Sequence, residues 1–129
     1  MIPAWLNDII GEFGRQMGLK AFALGDRGTA GVRFENGLTL RLEYANEALM
    51  MLVGFAPQNA QSAQAFALRL LTQAHYAGAG ATGLRAGYLR RTGEAILVRR
   101  LSERSIDLPR LEEAFQSLWQ AAREMGGVA

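Results

Sequence analysis

The chain has no cysteine and a single histidine, His75, in 129 residues. Disulfide staples and thiolate metal sites are excluded, and one histidine alone is a poor basis for a metal centre. No apolar run approaches the ~20 residues a helix needs to cross a bilayer. The amino-terminal Met1-Ile2-Pro3-Ala4-Trp5 lacks the basic start and long apolar core of a secretory signal. A reducing cytoplasm is the expected setting, with no membrane partner. Charge of one sign is also scarce. The 14 basic and 12 acidic residues leave a formal charge of +2, and the two signs are interleaved. Lys20 is the only lysine. A nucleic-acid binder would usually carry a clustered basic excess.

What remains is ordinary for a globular protein, with half the residues hydrophobic and a fifth charged. A chain of this length can bury a proper core, and a single domain over 1–129 is expected. The most informative stretch is Leu38 to Phe55. Leu38, Leu40, Leu42 and Tyr44 alternate with Thr39, Arg41 and Glu43, the pattern of a half-buried strand. After the polar corner Ala45-Asn46-Glu47, residues 48–55 are apolar on both faces. One face can be covered by a helix of the same chain. The other calls for a further layer, a second subunit or a ligand.

Pro3 suits the first turn of a helix, and Leu6, Ile9, Ile10, Phe13 and Met17 form one stripe ending at Gly18, a candidate left-handed cap. Trp5 and Ile2 lie at the stripe's margin. Lys20 to Leu24 is a short extended stretch. Strands are expected at about 29–35, 38–44 and 48–55, with Val32 and Phe34 facing inward and Asn36-Gly37 as a hairpin signal. A second helix carries Ala63, Phe66, Ala67, Leu70, Leu71 and Ala74 on one side and Ala65, Leu68, Thr72 and Tyr76 on the other. Its second side meets either another subunit or the rest of the chain. Leu84 to Leu89 and Glu94 to Leu101 read as a second hairpin. Asp107 is a candidate cap for a last helix with Leu111, Ala114, Phe115, Leu118, Trp119, Ala122 and Met125 on one stripe. The expected order is α-β-β-β-α-β-β-α.

Catalytic signals are weak. Gly78-Ala79-Gly80-Ala81-Thr82-Gly83 matches the dinucleotide fingerprint literally, but the expected helix precedes it and a strand follows, the reverse of what phosphate binding requires. His75 has no signalled partner and reads as a surface or interface residue. Asp8 with Glu12, and Glu112 with Glu113, lie on polar helix faces and read as solvated carboxylates. Arg85, Arg90, Arg91, Arg99, Arg100 and Arg104 gather around the second hairpin. They could hold phosphates, or they could guard a sheet edge against unwanted pairing. A small nucleic-acid-binding α+β module using this hairpin is the alternative reading. Tyr88 is the hairpin's only aromatic, which counts against single-strand binding.

The whole chain resembles the class I type III secretion chaperones, the family that includes the Tir chaperone. The resemblance lies in the first helix ending Met17-Gly18-Leu19, in Phe22-Ala23-Leu24 before a turn, and in Leu38-Thr39-Leu40. Above all it lies in Tyr44-Ala45-Asn46-Glu47-Ala48-Leu49-Met50-Met51-Leu52-Val53-Gly54, and it continues in Ile106-Asp107-Leu108-Pro109. It implies an α+β fold, a twisted antiparallel sheet flanked by three helices. It implies a cytoplasmic homodimer in a Gram-negative bacterium, with no enzymatic activity and no cofactor. The partner would be a secreted effector protein whose N-terminal region is kept soluble and secretion-competent. Carried over, the dimer interface falls on Leu68, Leu71, Thr72, Tyr76, Leu84 and Tyr88. Effector contacts fall on Trp5, Ile9, Val32, Phe34, Met50 and Leu52, by apolar patches and strand addition. One departure stands out: members are commonly acidic, and this chain is mildly basic. Independently of the resemblance, strand 48–55 and the second helix carry more apolar surface than one small core hides, and such surplus marks an interaction surface.

Overall fold

The computed structural model describes residues 2–56, 84–89 and 93–124. The second helix expected from the sequence, its dimer residues Leu68, Leu71, Thr72 and Tyr76, His75 and the glycine run 78–83 lie outside them. Helix α1 (Ala4–Gln16) is followed by β1 (Thr29–Arg33), β2 (Thr39–Ala45) and β3 (Ala48–Phe55). Next come β4 (Leu84–Leu89), β5 (Glu94–Ser102), a short 3-10 turn (Glu103–Ser105) and helix α2 (Leu108–Glu124). The five strands form one antiparallel sheet in the order β1-β2-β3-β5-β4. The fold is α+β, with the apolar strand β3 at the centre of the sheet.

Local chemistry accounts for the boundaries. At the end of α1, Leu19 N–H donates to Gly14 O at 2.8 Å and Gly18 N–H to Arg15 O at 3.0 Å. Gly18 takes a φ of +82°, so this is a Schellman cap built on the one residue type that adopts it without strain. Asp107 caps α2, its Oδ1 accepting from Arg110 N–H at 2.8 Å. The β1–β2 connection is not a two-residue turn. Phe34 N–H donates to Leu38 O and Gly37 N–H to Phe34 O, leaving a three-residue loop with only Gly37 at positive φ. The tight turn is the β2–β3 corner, where Ala45 opposes Ala48 and both Asn46 and Glu47 have positive φ.

The register sorts side chains onto two faces. Leu40, Leu42, Leu49, Met51, Val53, Phe55, Ala95 and Leu97 face the helices and are essentially inaccessible. They pack with Leu6, Ile10 and Phe13 of α1 and Leu111, Ala114, Leu118 and Ala122 of α2. Phe22 closes this core from the α1–β1 connection by lying directly on Gly14, where a Cβ would sit 2.5 Å from the Phe22 Cβ. Leu24 is held by Asn7, whose Oδ1 accepts from its N–H at 2.9 Å and whose Nδ2 donates to its carbonyl at 3.4 Å. Among the described residues no helix is long and apolar enough to cross a membrane.

Candidate protein-binding site

β1 and β4 are the sheet edges. The hydrogen bonds at the two ends of β1, Tyr44 N–H to Gly28 O and Phe34 N–H to Leu38 O, both at 2.8 Å, fix its alternation. Gly28, Ala30, Val32 and Phe34 face β2 with their peptide groups. Thr29, Gly31 and Arg33 therefore turn theirs away from the sheet. Thr29 O is taken by Gly25 N–H at 2.9 Å. Among the described residues, Gly31 and Arg33 are left presenting donors and acceptors along the edge.

A concavity lies on each side of this edge. On the core side, a groove of about 310 Å³ separates β1 from residues 19–23. Leu19, Phe22, Ala23 and Val32 line it, and Lys20 is its only charged residue. On the opposite face of the sheet, an open trough of about 580 Å³ runs from β1 across β2 and β3 to β5. Its floor holds Gly31, Leu52, Gly54 and Ile96, and its charged groups are Arg33, Arg41, Glu43 and Glu94. Gly54 lies beneath the Thr39 hydroxyl and the Glu94 carboxylate, both of which a Cβ there would have to push aside.

The effector residues expected from the sequence do not converge on one spot. Met50 and Leu52 sit on the outer sheet face, opposite Glu43 and Arg41, half-buried beside Val98. Val32 opposes Leu40 on the core face. Phe34, just past β1, joins an aromatic group with Phe115 and Trp119 of α2 at centroid separations of 6.2 and 6.1 Å. Phe13 meets Phe115 edge-on at 6.0 Å. Ile9 is half-buried against the core, whereas Trp5 is 41% exposed, the most open large apolar side chain among the described residues. Of the expected dimer residues, Leu84 and Tyr88 lie on the edge strand β4, in register with Arg99 and Ala95.

The arginine cluster is divided by the pleat. Arg99 faces the core, 8% exposed, and its Nη1 donates to Glu113 Oε2 and, at 3.1 Å, to Ser117 Oγ of α2. Its Nε has no acceptor among the described residues. Arg99 thus holds helix to sheet instead of joining a basic surface, and Glu113, expected to be merely solvated, is its counter-ion. Arg85, Arg100 and Arg104 remain exposed, and Arg90 and Arg91 lie outside the described residues. Glu12 pairs with Arg15 at 2.6 Å on the surface of α1. No group of three or more His, Asp or Glu side chains among the described residues could hold a metal ion. Gly31, Arg33 and Arg41, which line the trough beside β1, were not singled out in the sequence. The alternation of 29–35 carried the signal, but an edge strand is known as such only once the sheet order is known.

A family profile described as type III secretory system chaperone SycN matches residues 5–126. The chain belongs to this family. Three solved structures share the α+β fold described above. A chain of the ExsC–ExsE complex is 19% identical, with a TM-score of 0.76 over 92% of this chain and 89% of its own. A chain of the HopA1–SchA chaperone–effector complex is 19% identical, with a TM-score of 0.68 over 94% and 92%. The Yersinia pestis chaperone SycH, solved with a fragment of YscM2, is 16% identical, with a TM-score of 0.68 over 92% and 98%. No curated protein matches the sequence. For a type III secretion chaperone, the surfaces that matter are those that could hold another polypeptide, and both sheet edges are of that kind.

Proposed function

We propose that this chaperone binds the N-terminal region of a cognate secreted effector as a homodimer and keeps it soluble and secretion-competent. The observation that carries the reading is the open edge of β1, with a concavity on each side of it. Main-chain groups at an edge supply hydrogen bonds to an extended segment, and flanking pockets supply selectivity. Such a segment loses entropy on ordering, so a long footprint is needed. Trp5 and Ile9 on α1, Val32 and Phe34 at β1, and Met50 and Leu52 on the outer sheet face would extend that footprint. Leu68, Leu71, Thr72, Tyr76, Leu84 and Tyr88 are proposed to form the dimer interface, a role in which β4, as the second sheet edge, is well placed. The proposal includes a single domain over 1–129, a cytoplasmic location and no enzymatic activity.

The test is co-expression with N-terminal segments of secreted proteins encoded beside the gene. A segment that is insoluble alone is expected to become soluble and to co-purify. If none gains solubility or co-purifies, the reading fails.

A further inference from the structure

We infer that the free edge of β1 selects its partner strand by charge alternation, taking an acidic side chain opposite Gly31 with an apolar one on either side. This rests on the effector-binding reading and specifies the chemistry of the segment.

Directly opposed residues of antiparallel strands share a face. A residue opposite Gly31 would therefore face the outer trough, as Gly31 does. Gly31 offers it space: a Cβ built there meets only Leu40 O, at 3.6 Å. Arg33, one diagonal step along the same face, has no ion pair among the described residues. Arg41, opposite Gly31 on β2, is bound among the described residues only to Glu43, at 3.2 Å, with both side chains exposed. An exposed pair of this kind is easily shared with a second carboxylate. A Glu or Asp at the outer position is offered the guanidinium groups of Arg33 and Arg41, whereas the trough's acids are Glu43, already paired with Arg41, and Glu94 on β5, two strands away from β1's neighbour β2. The two neighbouring residues of the added strand turn to the other face, where Leu19, Phe22 and Val32 line the smaller groove. The edge thus reads apolar–acidic–apolar.

The experiment uses fluorescence anisotropy with two labelled, capped nonapeptides, one alternating valine and glutamate, the other valine and lysine. The full-length protein is expected to bind the glutamate peptide at least about tenfold more tightly. N-methylation of alternate peptide bonds should abolish binding. The Arg33→Glu/Arg41→Glu variant should reverse the preference, while Arg100→Glu, on the same face but outside the trough, should leave it unchanged. A melt by circular dichroism checks that each variant folds. If the double variant does not, Arg33→Gln is read instead and should lose the discrimination. Equal affinities, no binding of either peptide, or a preference that survives in the Arg33 variants would overturn the inference. An effector segment that co-purifies equally with wild type and the double variant would overturn it too, leaving the effector reading intact. Persistence of the peptide preference when no effector segment binds would sink only the effector reading.

Discussion

At the scale of residues, Arg99 decides more than its place in a basic run suggested. It is buried on the face that carries Met51 and Leu97, and α2 supplies its only partners among the described residues, Glu113 and Ser117. Removing one partner of a buried charge costs more than the pair contributes, because the other is left uncompensated. Glu113 is itself 57% exposed, which tempers the effect. Glu113→Ala should cost about 1–2 kcal/mol in urea unfolding. Arg99→Met/Glu113→Leu should recover most of that loss. Tyr44 makes a second prediction. Its hydroxyl donates to Glu103 Oε1 at 2.6 Å, and its pKa is raised above 10.0 first by that bond, then by burial and by the charges of Glu103 and Glu47. The folded protein favours the protonated phenol. Its contribution is therefore full below the unfolded value and lost as pH rises through the folded one. In urea titrations from pH 8 upward, the advantage of wild type over Tyr44→Phe should shrink above about pH 10. An advantage that is constant with pH would contradict this.

At the scale of elements, most of the fold could be read from periodicity. The stripe of α1, the stripe of α2 and the period-two alternation of β2 each mapped onto a buried face. They did so because each element packs on one side only. What was hidden follows from the same physics. Arg99 and Arg100 are adjacent in sequence, so a strand must place them on opposite faces, and no composition count reveals which one is buried. The Asn36-Gly37 pair marked a turn correctly but not its size. The tightest turn fell to Asn46-Glu47, where a glutamate accepts positive φ that costs a non-glycine residue about 1 kcal/mol. The six effector candidates came from the family resemblance, and their distribution over a helix and two sheet faces depended on register. The packing of α1 on its following connection gives a third prediction. Gly14→Ala would press a methyl into Phe22, and overpacking should cost about 1–3 kcal/mol by thermal melting. Gly11→Ala is the control, since a Cβ there meets nothing closer than 3.7 Å. It should be neutral or slightly stabilising.

At the scale of the whole molecule, a sheet with β3 at its centre hides the most apolar strand and leaves β1 and β4 as edges. Exposed edges invite pairing, and proteins normally blunt them. Here β1 combines an open ladder with grooves on both sides, and β4 ends the sheet on the other side. The reading that uses both is self-association near β4 and capture of an extended guest along β1. Its most direct test is native mass spectrometry of the chain co-expressed with an effector N-terminal segment. The account predicts a complex of two copies of the 14.1 kDa chain with one segment, and a dimer when the segment is omitted. A monomer that carries no segment would contradict it.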